Sequence, residues 1–190
     1  MNRKQFLQQS LTLGLCSGAC YVLDAVNPAP DVSASPGAQG SEPPKDFEKE
    51  FIQNFLSDLM GTIDAELDEK TKVKLMTGCG RGCFRRFPFK QDIAKQGEGS
   101  LEKLIEAYKK NFEIWQDGNL VHIRYGPVSS GCYCPAARYR PPKPNDIHCN
   151  CTRATHQTIF ETALGRPFQV EILETLRRGG KTCHFAVHLA

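Results

Sequence analysis

The sequence predicts an α+β fold in which N-terminal helices pack on one face of a small antiparallel sheet that ends in a C-terminal hairpin. Residues 47–67 repeat large apolar side chains every four positions, the period of one helix face. Residues 168–189 instead alternate apolar and polar side chains on either side of Gly179-Gly180, the pattern of a hairpin. The chain has 190 residues, 40% hydrophobic and 24% charged, which is enough for one domain with its own core.

Phe47, Phe51, Phe55, Leu59, Ile63 and Leu67 form the first stripe, widened by Ile52, Leu56 and Met60 and preceded by Asp46 as N-cap. This stripe is expected to lie in the core. A second helix starts at Asp68, runs through "DEKTKVKLMTG" and stops near Gly78 or Gly80. A third starts at Ser100, turns Leu101, Leu104, Ile105, Tyr108, Phe112 and Trp115 inward, and ends at Asp117-Gly118. In "NLVHIRYG" the period changes: Val121, Ile123 and Tyr125 share one face of a strand, with His122 and Arg124 on the other. A further helix is expected over 152–164, carrying Ile159, Phe160, Ala163 and Leu164, with Gly165 closing it. The hairpin follows, with Phe168, Val170 and Ile172 on its first arm and Cys183, Phe185, Val187 and Leu189 on its second.

The first 26 residues, "MNRKQFLQQSLTLGLCSGACYVLDAV", pair basic residues with an apolar stretch of small side chains, the layout of an export signal. The run Asn2-Arg3-Lys4-Gln5-Phe6-Leu7 resembles a twin-arginine signal, with Lys4 where the second arginine would stand. Ala19-Cys20 offers the alternative of a lipid-anchored cysteine, although Ser17 replaces the usual leucine. Ser, Thr, Gly and Asp24 interrupt the stretch too often for a membrane span. Residues 27–45 are rich in Pro, Ser and Gly and read as a disordered linker, which leaves 46–190 as the cysteine-rich domain. The expected setting is periplasmic or membrane-anchored, with the export machinery as a partner. A net charge of +3 without a long basic run argues against a nucleic-acid partner.

Nine cysteines set the chemical question. With Cys16 and Cys20 in the leader, there remain Cys79, Cys83, Cys132, Cys134, Cys149, Cys151 and Cys183. They could be disulfides, metal ligands or reactive thiols. Export favours disulfides. An odd count and a core that needs no staple speak against them. Thiolates bind zinc tetrahedrally or hold an iron–sulfur cluster, and four are needed for either. In extended chain, alternate residues share a face, so Cys132/Cys134 and Cys149/Cys151 each converge and are the first-choice ligands. Cys79 and Cys83, four apart, come second. Cys183, His148 and His156 are possible additional ligands. Each histidine alone is more often a surface residue, and Cys183 more often a buried structural one. His122 is a candidate neighbour for Cys183 from another strand. Arg81, Arg85 and Arg86 read as solvated surface.

"LDEKTKVKLMTGCGRGC" (67–83), "CNC" (149–151) and "GRPFQVEILETLRRGGKTCHFAVHL" (165–189) resemble a bacterial family of small cysteine-rich domains of unknown function. The ending is also similar to the 4-vinyl reductase domain and to the L-2-amino-thiazoline-4-carboxylic acid hydrolase family. That resemblance implies an α+β ligand-binding fold, a cavity between helices and sheet, and cysteines near its mouth. It transfers no catalytic residue. The leading expectation is therefore an exported protein that binds zinc or an iron–sulfur cluster through its cysteines. One alternative is a hydrolase of a small sulfur- or nitrogen-containing ring compound. Another is a non-catalytic module that binds a small molecule.

Overall fold

The computed structural model describes residues 46–137 and 140–190; the expected leader and linker lie outside them. The fold is α+β, with five helices and a four-stranded antiparallel sheet among the described residues. Helix α1 spans Phe47–Glu66, α2 Glu69–Arg86, α3 Pro88–Gln96 and α4 Leu101–Lys109. Strands β1 (Glu113–Asp117) and β2 (Leu120–Arg124) follow, then a long loop, α5 (Cys149–Leu164), β3 (Gln169–Glu174) and β4 (His184–His188). The strand order is β1-β2-β4-β3.

The core lies between α3, α4 and α5 on one side and the inner sheet face on the other. Val121, Ile123, Phe185, Val187 and Val170 meet Leu104, Tyr108, Ile159 and Phe160 there. Aromatic rings fill the space where a cavity was expected between helices and sheet: Tyr108, His156, Phe160 and Phe185 are all fully or nearly fully buried. Burying each of the two phenylalanine rings stabilises the fold by roughly 1.5–3 kcal/mol. The hairpin forms as the alternation predicts, with β3 and β4 joined by a short 3₁₀ turn at Leu176–Arg178. Gly165 closes α5 in the left-handed conformation, at φ 67°.

Four expectations are overturned. The phenylalanine stripe of α1 is not core: Phe51 is 62% exposed and Phe55 59%, while Gln53 and Met60 are buried. Asp46 makes no side-chain cap, whereas Asp68 does, accepting from the backbone N–H of Thr71. Helix α2 does not stop at Gly78 or Gly80 but runs on to Arg86, and α3 follows it at once with Pro88 in its first turn. The third predicted helix ends at Lys109, so Trp115 stands on β1 and faces outward. Its apparent helical spacing from Phe112 was a coincidence of two elements.

Gly80 of α2 has a packing reason. Glycine costs a helix interior about 1 kcal/mol relative to alanine. Yet a Cβ on Gly80 would collide with the Cys151 carbonyl and stand 2.7 Å from Ala154 Cβ. The bare backbone lets α2 and α5 touch, and Thr155 Oγ1 donates to the Gly80 carbonyl at 3.2 Å across the contact.

The long loop between β2 and α5 is held by charge rather than sulfur. Arg177, from the turn before β4, spends all its guanidinium N–H groups on it. Its Nε and Nη2 donate to Asp146 Oδ2 at 3.1 and 2.8 Å, Nη1 to the carbonyls of Ala137 and Arg140, and Nη2 to that of Pro141. Asp146, fully buried, also accepts from Arg140 Nη2 at 2.6 Å and from the His148 backbone N–H at 2.9 Å. Arg140 reaches back to Asp64 on α1 at 3.1 Å. Burial opposes charge on Asp146, but the His148 N–H and the two arginines outweigh it and lower its pKa.

Candidate functional site

Close packing at Gly80 brings the first turn of α5 against the C-terminal half of α2. Cys79 and Cys83, four apart, lie on one side of α2. Cys151 meets them from α5, and Cys134 from the loop. Burial first, and then the neighbouring thiols Cys83, Cys134 and Cys79, which oppose a second negative charge, raise the Cys151 thiol to about 12. Cys134 is likewise raised, first by burial and then by Cys132 and Cys83. Lys90 on α3 closes this basin: its Nζ donates to Cys83 Sγ at 2.8 Å. Cys132 links the group to Cys183, whose thiol is raised by burial and then by Cys132 and Glu174. All seven cysteines of the described residues are free thiols.

Cys149 does not join them. The helix begins at Cys149 rather than at 152, so Cys149 and Cys151 are helical neighbours two apart, pointing about 200° away from each other. Cys149 is buried on the opposite side, where its Sγ–H donates to Thr175 Oγ1 at 3.0 Å. Burial raises it to about 11. The four sulfurs expected to form one site are therefore split three against one, and Cys79 and Cys83 move from second choice into the centre of the group.

The histidines divide as well. His148 is buried and neither ring nitrogen has a hydrogen-bond partner; burial lowers its pKa, and the charges around it are Asp146, Arg140 and Arg177 rather than thiols. His156 is no free ligand. Its Nδ1 lies 3.1 Å from Tyr108 Oη and its Nε2 3.0 Å from Tyr125 Oη. Burial, with Lys90 as a smaller cause, lowers it to about 3, so the ring is neutral. A neutral imidazole has one donor and one acceptor. Tyr108 is fully buried, and its hydroxyl proton has no acceptor besides Nδ1. An unmet donor there would cost about 1–3 kcal/mol. Tyr108 therefore donates to Nδ1, Nε2–H donates to Tyr125, and the Tyr125 proton is left free. The titratable groups that act on Tyr125, after burial, are the thiols of Cys183, Cys83, Cys132 and Cys151. The basin thus has two donors beside its sulfurs, Lys90 Nζ and Tyr125 O–H.

His122 does not approach Cys183. It lies on the outer sheet face with His184, while Cys183 packs against the core. Arg81, Arg85 and Arg86 are exposed, as expected. A cleft of about 590 Å³ opens beside the basin along the loop, lined by Ser130, Cys132, Tyr133, Arg140, Pro142 and Arg177. Lys90, Tyr125 and Arg177 were not singled out from sequence. The first two lie near sulfurs only in space, and Arg177 sat in a segment legible only as a turn.

No family model and no curated protein matches the sequence. Five chains of known structure match. One is a vinyl-4-reductase family protein from Methanocaldococcus jannaschii, solved at 1.90 Å, 13% identical, covering 78% of this chain and 83% of that one with a TM-score of 0.33. At that distance the chemistry of the site is argued from its own residues.

Proposed function

We propose that the basin of Cys79, Cys83, Cys134 and Cys151 holds a thiophilic metal, zinc or an iron–sulfur cluster, in an exported protein. One observation carries this reading. Three chain segments that are distant in sequence deliver free thiols to one place, so that Cys151 feels Cys83, Cys134 and Cys79 together. Sulfur is the donor that both metals take. Among the described residues no three His, Cys, Asp or Glu side chains already stand at ligating positions. Loading then requires the cysteine side chains to turn inward and the Cys134 segment to close on α2. It also requires the raised thiols to give up protons, so affinity rises with pH. Lys90 offsets part of the negative charge that results. Export rests on the N-terminal sequence alone.

Anaerobically purified protein, assayed by elemental analysis and ultraviolet–visible spectroscopy, tests the assignment. Stoichiometric zinc, or iron with absorption at roughly 400 nm, supports it. Cys151→Ser is expected to lose the metal and Cys149→Ser to keep it. Full retention after Cys79, Cys83, Cys134 and Cys151 are all changed to serine overturns the assignment. So does metal-free protein whose thiols resist alkylation, because they would then be disulfides.

A second reading rests on the cleft. Its size suits a small-molecule ligand, and Cys132 on its wall would face that ligand. Binding of a small molecule that shields Cys132 from alkylation, with no metal present, would favour it.

A further inference from the structure

The outer sheet face carries a second cluster, independent of the thiols. Trp115 of β1 and His122 of β2 are directly paired across the strands, and their rings stack at 5.0 Å and 12°. On β4, Ala186 stands opposite His122, and Arg124 stands opposite His184. His122 and His184 are therefore diagonal neighbours on one face, within reach of each other's rings. Nδ1 of His122 and Nε2 of His184 face each other at 3.0 Å.

That separation suits a shared N–H···N bond, and it equally suits two ligands of one ion. Imidazole nitrogens bind divalent transition metals at about 2.0–2.1 Å, so two of them meeting near a right angle stand about 3 Å apart. The rings are already oriented. The indole stacks on His122 and also touches the His184 ring at 5.3 Å. Burial, then His122 and Arg124, hold His184 below the ordinary histidine pKa, which favours an unprotonated ring at neutral pH. The Arg124 guanidinium lies over the indole, and its Nε donates to Glu113 Oε2 at 2.6 Å. That pairing offsets its positive charge, and Glu174 acts on His184 as an anion.

We infer that His122 and His184 form a two-imidazole site for a divalent transition-metal ion of the copper, nickel or zinc class. Among the described residues no third side chain completes the pair, so its other positions are open to water or an outside ligand. Such a site sits on a solvent-facing sheet surface, away from the thiol basin.

Trp115 is the only tryptophan, so its fluorescence reports on this site alone. Titration of the full chain with Ni²⁺ is expected to quench it saturably. His122→Gln and His184→Gln should each raise the midpoint at least tenfold, while Cys79→Ser/Cys151→Ser leaves it unchanged. An unchanged midpoint in both histidine variants overturns the site. Should those variants fail to fold, Cu²⁺ electron paramagnetic resonance on the chain with its free thiols alkylated decides the matter. Hyperfine coupling to two imidazole nitrogens supports the site, and its absence overturns it.

Discussion

The Cys132-Tyr133-Cys134 pair lies on irregular chain, with Tyr133 68% exposed between two half-buried thiols, whereas Cys149-Asn150-Cys151 opens helix α5. On extended backbone alternate residues share a face, and on a helix they oppose. The loop pair therefore stays together beside Cys183 and Cys83. The helix pair sends Cys151 to the basin and Cys149 to Thr175. A Cys-x-Cys spacing by itself specifies neither outcome; the backbone beneath it does. The two pairs also depend on different supports. The Arg177–Asp146 network positions the loop, and the glycine contact with α2 positions the start of α5.

Removing each support in turn tests that division. Asp146→Ala leaves the Arg177 guanidinium buried without its carboxylate and Arg140 with Asp64 alone, at an expected cost of about 3–5 kcal/mol in urea unfolding. In the folded fraction, Cys132 and Cys134 should alkylate faster and Cys151 at its original rate. Equal acceleration of all three would show that the supports are not separate.

Acid is expected to act on α5. His156 stays neutral in the fold down to about 3, while the unfolded chain protonates it near 6.5. Below 6.5 the unfolded state takes up a proton that the folded state refuses. Stability is thus present above 6.5 and falls as the pH drops towards 3, by up to about 5 kcal/mol. His156→Gln should flatten that limb of the profile, as read by thermal unfolding at a series of pH values. An identical limb in the variant would place the acid sensitivity elsewhere.

Gly80→Ala is the smallest of the three perturbations. Its methyl forces α2 and α5 apart, at roughly 1–3 kcal/mol, and separates Cys83 from Cys151. Thermal unfolding checks the cost. The rate of bismaleimide cross-linking between those two thiols checks the displacement, with Cys132–Cys134 cross-linking as the unchanged control.

The hairpin, β2 and the end of α5 were legible because one rule governed each: alternation, or glycine in the left-handed region. Other elements were decided by tertiary contact. Helix α2 runs through Gly80 because α5 needs the bare surface there, which propensity alone argues against. Trp115 looked like the next step of a helical stripe, but the chain had already turned at Lys109 into β1. The phenylalanines of α1 have a clear amphipathic period, yet period predicts a face and not what lies against it. For the site, the sulfurs could be counted from sequence and their grouping could not. Three residues of helix start, 149 rather than 152, decide which thiol of the second pair turns away.

The Tyr108–His156–Tyr125 line has a dynamic consequence. Turning the imidazole over would exchange its donor and acceptor ends against both phenols at once. Ring reversal is therefore coupled to breaking two buried hydrogen bonds, and His156 is expected to hold a single tautomer on the magnetic-resonance timescale. Its Nδ1 should give a pyridine-like ¹⁵N signal and its Nε2 a pyrrole-like one. The imidazole then acts as a polarity marker in the core, fixing one direction along which hydroxyl protons point.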